Sequence, residues 1–105
     1  MAYRRVITRT GNSPYGNFPA SAQTEVDRLK SEGILISREE VFVTSSAELS
    51  SQNISNDQFK STVTEVWRSE SDLNNWKTFV SNSSDIATFN SQNNITLTIV
   101  SGENI

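Results

Sequence analysis

Between residues 59 and 80 the apolar period changes from two to about 3.6 within a couple of residues, and this constrains the fold more than any other feature. Residues 59–68 alternate as a strand does, with Phe59, Ser61, Val63, Glu65 and Trp67 on one face. Lys60, Thr62, Thr64, Val66 and Arg68 form the other. Ser69 then stands where a helix N-cap would, Asp72 follows three residues later as a near capping box, and Leu73, Trp76, Phe79 and Val80 form a helical apolar stripe. A strand therefore feeds straight into a helix, and the two must pack as adjoining layers around a core.

The remaining segments supply the rest of the layers. Residues 3–10 are rich in β-branched side chains and predict a strand, and residues 11–19 hold two Gly, two Pro and two Asn and predict a loop. Ala22, Val26 and Leu29 recur at helical spacing, and Gly33 stands where a glycine would end that helix. Residues 34–44 alternate loosely and read as one long strand or two short ones. Residues 45–58 carry only Ala47, Leu49 and Ile54 as apolar residues and predict a mobile arm or a disordered excursion, with Leu49 and Ile54 open to a partner. After a polar break at 81–84, residues 85–90 have the length for one more helical turn carrying Ile86 and Phe89. The last strand is expected at 95–101. The order is β-α-β-β-α-β, a ferredoxin-like α+β fold with a four-stranded antiparallel sheet and two helices on one face, in a single domain over residues 1–105.

Composition now decides which chemistry such a fold can host. The chain has no Cys and no His, which excludes disulfides, thiolate nucleophiles, Ser-His-Asp triads and His-ligated zinc or haem. No cofactor and no metal site is expected; acid pairs such as Glu39-Glu40 read as solvated faces. Ser, Thr, Asn and Gln make up 42 of 105 residues, yet Leu, Ile, Val and Phe still make up 26, above the ~20% that marks disordered chains. The net charge of −3, with no basic stripe, argues against a nucleic-acid partner. No apolar run approaches a membrane span and residues 1–10 lack a signal peptide's apolar centre, so a cytoplasmic protein is expected.

The Val63/Trp67 and Ile95/Leu97/Ile99 faces should lie under the helices, against Val26, Leu29, Leu73, Trp76 and Phe79. The opposite face holds Thr62, Thr64, Val66, Thr96, Thr98 and Val100, with charges only near its ends. Water-facing sheets usually mix in Lys and Glu, so this semi-polar, β-branched face suits a second sheet. A homodimer, sheet against sheet, is the expectation.

The segment from Glu65 to Trp76, EVWRSESDLNNW, resembles the strand-to-helix junction of the dimeric α+β barrel superfamily, which includes the antibiotic-biosynthesis monooxygenases. There a strand ends in Trp-x-Ser-x-acid and opens a helix. Gly33 ahead of the second strand and Phe59 opening the third are similar too. The resemblance implies a dimeric α+β barrel but no one activity, since the superfamily hosts enzymes, binders and proteins without known activity. The spacing of Trp67, Leu73 and Trp76 is most like that of the haem-degrading members. In those an Asn lies on the first strand and a haem-ligating His follows ten residues after the helix Trp. Here Ile86 takes the His position and residues 3–10 contain no Asn.

Two function classes follow, and the low apolar content and the lack of an acid–base pair favour the first. One is a homodimeric interaction or structural module whose cleft is filled by its own side chains. The other is a cofactor-independent, monooxygenase-like enzyme or a binder, enclosing a small planar apolar ligand between helices and sheet. Its cleft would be lined by Trp67, Trp76 and Phe79, with Arg5, Arg9 and Glu65 as polar groups. Arg5 and Glu65 lie on strands expected to be neighbours, so a cross-strand ion pair is the simpler role for them. Glu65 is also the one acid placed for a catalytic carboxylate, between Val63 and Trp67. Titration with haem is expected to give no Soret shift; a saturable shift would overturn the reading of Ile86.

Overall fold

The computed structural model describes residues 1–13, 18–55 and 57–105. Its centre is an antiparallel pair, β1 (Tyr3–Asn12) and β3 (Gln58–Trp67), in continuous register from Tyr3 opposite Trp67 to Asn12 opposite Gln58. β2 (Leu35–Phe42) pairs with the outer side of β3, and β4 (Thr96–Asn104) with the outer side of β1, giving the order β2-β3-β1-β4. The helices are α1 (Ala20–Ser31), α2 (Ser46–Ser51), α3 (Glu70–Asn82) and α4 (Ser84–Gln92). The fold is α+β with a four-stranded antiparallel sheet, and its strand order is compatible with the ferredoxin-like plan. The element order, however, is β-α-β-α-β-α-α-β rather than β-α-β-β-α-β. No helix among the described residues is long and apolar enough to cross a membrane.

α2, which the sequence reading lacks, and α4 both have local causes. The segment expected as a mobile arm contains α2, because Ser45 caps the backbone N–H of Glu48 and the pair Ser45-x-x-Glu48 has the form of a capping box. The break expected at 81–84 falls at Ser83, whose extended backbone ends α3 while its hydroxyl caps the N–H of Ile86 to open α4, the helical turn expected at 85–90 with Ile86 and Phe89 buried. Ser69 caps Asp72 as the sequence pattern predicts. α1 closes in a Schellman motif: Gly33 adopts φ +70°, its N–H donates to Lys30, and the N–H of Ile34 donates to Leu29. Gly11 was expected in a loop but belongs to β1. A Cβ there would lie 2.6 Å from the Ile95 side chain and 2.9 Å from the Phe59 ring, so glycine lets the strand run beneath them.

The main core gathers Val26 and Leu29 of α1, Leu35, Trp67 and Leu73, with Tyr3, Ile34 and Trp76 packed against it. α1 lies over β2 and α3 over β3, so the cover is uneven. Leu97 and Ile99, expected under the helices, are 49% and 58% exposed, and every residue of β4 is exposed. Among the described residues α1, α3 and α4 pack on the side away from Thr62, Thr64 and Val66. On β4 a register shift puts Ser101 opposite Val6 and Ile99 opposite Ile7, leaving Val100, expected on that face, without a cross-strand partner. Leu73→Ala should cost about 2–5 kcal/mol in urea unfolding, since Leu73 is buried where α3 meets the sheet.

Candidate functional site

The helix-facing side of the sheet is not uniformly apolar. Alternation along β1 turns Arg5, Ile7 and Arg9 inward, and along β3 it turns Ser61, Val63, Glu65 and Trp67 inward. Arg5 stands opposite Glu65, and both are almost fully buried, at 6% and 4% exposed. Arg5 Nε donates to Glu65 Oε1 at 2.7 Å and its Nη2 lies equally close to the same oxygen. The Trp67 indole N–H donates to that oxygen at 3.3 Å.

A second pair lies farther along the sheet. Arg9 Nη1 donates to Glu40 Oε2 at 2.7 Å, the Ser61 hydroxyl donates to the same oxygen at 2.6 Å, and the Arg9 guanidinium sits 5.8 Å from the centre of the Phe59 ring. Arg38 lies between the pairs, with Nη2 3.5 Å from Glu40 and Nε 3.9 Å from Glu65. Burial is the largest single influence on Glu40 and pushes its carboxyl up. The Ser61 hydrogen bond and the charges of Arg9 and Arg38 together outweigh it and hold Glu40 below the usual glutamate value.

From sequence, Glu40 is expected on a solvated face and Arg38 has no place in the site. A bulge between Leu35 and Ser37 shifts the register of β2 by one residue, so Leu35 faces the core, Ile36 is exposed, and Arg38 and Glu40 then turn inward. Glu40, expected on a solvated face, is therefore part of the site. The interrupted alternation at Ile34-Leu35-Ile36 is the signal that could have revealed this.

Between this charged floor and the helices lies a cavity of about 380 Å³. Its apolar walls come from Ile7, Val26 of α1, Trp76 and Val80 of α3, Ile86 of α4 and Leu97 of β4, and Gln23, Lys30 and Asn90 add polar groups. Four of the six candidates named from sequence meet here: Arg5, Arg9, Glu65 and Trp76. Trp67 does not line the cavity; it is buried in the core, its ring 6.2 Å from that of Trp76. Phe79 stacks on Trp76 at 5.4 Å but lines a smaller groove of about 140 Å³ with Arg28 and Asn75. No group of acids able to hold a metal ion occurs among the described residues.

Compared with protein-family models and with curated proteins, the chain matches none.

The depressed titration of Glu40 predicts a pH signature. Its contribution to stability is present above the unfolded value of about 4.3 and is lost as pH falls through the lower folded value. Glu40→Gln should therefore destabilise by about 1.5–3 kcal/mol at pH 7, and the deficit should shrink toward pH 3 in denaturant titrations at the two pH values. A deficit independent of pH would show that the carboxylate charge is not what the arginines hold.

Proposed function

We propose that the chain is a small-molecule-binding protein whose ligand sits between helices and sheet. The single observation that carries this reading is the cavity of about 380 Å³, which the chain's own side chains leave open over a floor of paired charges. Its size falls at the small end of ligand pockets, roughly 300–1,000 Å³, and its mixture of apolar walls with a few convergent polar groups is typical of them. Trp76 offers an aromatic surface for a planar ligand. Binding is favoured over catalysis because both carboxylates facing the cavity are already engaged by arginines, which leaves neither poised as a free base. The likeness to the dimeric α+β barrel superfamily belongs to the same proposal, supported by the strand order and by the Trp67–Trp76 junction. The cytoplasm is its expected compartment.

Thermal-shift screening with quinones, aromatic acids and haem tests the reading. A true ligand at about ten times its Kd should raise Tm by roughly 6–11 °C. Trp76→Phe should weaken that response, and Val80→Trp, which fills the cavity, should abolish it. A response that survives both variants would place the ligand elsewhere.

The uncovered sheet face favours a second proposal, a homodimer joined sheet to sheet. Val6, Thr8, Thr64 and Val66 are only half-buried on the side away from α1, α3 and α4, and Thr62, Thr96 and Thr98 are exposed beside them. The nearby charges Arg4 and Glu103 neutralise each other at the end of the sheet. Light scattering at micromolar concentration should give twice the chain mass of 11.7 kDa, and Thr64→Lys with Thr98→Lys should give single chains. A monomeric wild type would sink the dimer without touching the ligand site.

A further inference from the structure

We infer that the cavity takes a monoanion, a small carboxylic acid with an apolar body, and that Arg38 is the group that receives its carboxylate. The inference rests on the ligand-binding reading above and deepens it. Three guanidinium groups, Arg5, Arg9 and Arg38, face the floor with only two carboxylates, Glu40 and Glu65, which leaves one positive charge in excess. Lys30 adds another at the wall, on an exposed part of α1. An unbalanced charge in a partly enclosed, low-dielectric space is unfavourable unless something of opposite sign joins it.

The geometry identifies which cation is available. Arg5 is closed onto Glu65 at 2.7 Å, and Arg9 is closed onto Glu40 at 2.7 Å and held over Phe59. Arg38 approaches Glu40 at 3.5 Å and Glu65 at 3.9 Å, both long for a hydrogen bond, and it donates none among the described residues. Its side chain is 28% exposed and lines the cavity. A guanidinium with its planar fork unused is a bidentate receptor for a carboxylate. The resident carboxylates admit one further negative charge and disfavour two, because only one positive charge on the floor is left over. Ile7, Val26, Ile86 and Trp76 then enclose the body of the acid, and the modest volume restricts that body to one or two rings or a short chain.

Isothermal titration calorimetry with phenylacetate, indole-3-acetate and hexanoate, each against its matching amide, tests this on the full chain. At least one acid should bind roughly 10–100-fold more tightly than its amide. Arg38→Gln should abolish that preference while leaving the amide's affinity unchanged, whereas Arg28→Gln, on the exposed side of α1, should keep it. The wild-type comparison of acid with amide decides the matter even if Arg38→Gln folds poorly. Equal affinity for acids and amides, with binding lost in Val80→Trp, would overturn the anion inference and leave the ligand site standing. No binding of any acid or amide at millimolar concentration would overturn both.

Discussion

The pairing of Arg5 with Glu65 across the two central strands is the interaction on which the rest of the site depends. Removing two charges from water is costly, and the cost is recovered only when each finds close, directional partners. Here the strand register sets the two residues opposite each other, and the Trp67 indole adds a third donor to the same carboxylate oxygen. A sheet floored by such groups cannot be covered by tightly packed apolar side chains without stranding the remaining polar atoms. The cavity and the charge network thus have a common origin in two inward-facing residues. Among the described residues no buried side-chain polar atom lacks a partner, as a functioning polar floor requires.

The bulge in β2 extends that floor. Strand side chains alternate with a period of two, so one extra residue exchanges the two faces of everything beyond it. Leu35 stays with the core, Ile36 is left exposed, and Arg38 and Glu40 join Arg5, Arg9 and Glu65. Without the shift the inward positions would fall to Ser37 and Glu39, and Arg38 and Glu40 would turn to the opposite face. The corresponding irregularity in β4 displaces Val100 and brings Ser101 opposite Val6. Both edge strands therefore depart from simple alternation, whereas the central pair keeps it throughout.

Helix placement explains the open surfaces. α1 and α3 gather over β2 and β3, where Leu29, Leu35, Trp67 and Leu73 form the core, and α4 buries only Ile86 and Phe89. β4 is left with both faces accessible, so the cavity reaches Leu97 at that side. None of these three helices lies over the opposite face of the sheet, with its Thr and Val. A chain with 34% apolar residues has limited material for enclosing a sheet on two sides.

Local patterns in the sequence determined the elements. Alternation at 59–68, the i, i+4, i+7 spacing of Ala22, Val26 and Leu29, the Ser69 and Asp72 cap, and Gly33 each act over a few residues, so each was legible there. α2 was legible too, in Ser45 and Glu48, but its polar composition concealed it. Arg5 and Glu65 could be set on neighbouring strands because both lie in regular alternation. The tertiary structure alone decided that Arg38 and Glu40 face inward, that Trp67 and Phe79 stay out of the cavity while Trp76 enters it, and that β4 remains uncovered. Those outcomes depend on two register shifts and on where the helices come to rest, and both are settled by contacts between segments far apart in the chain.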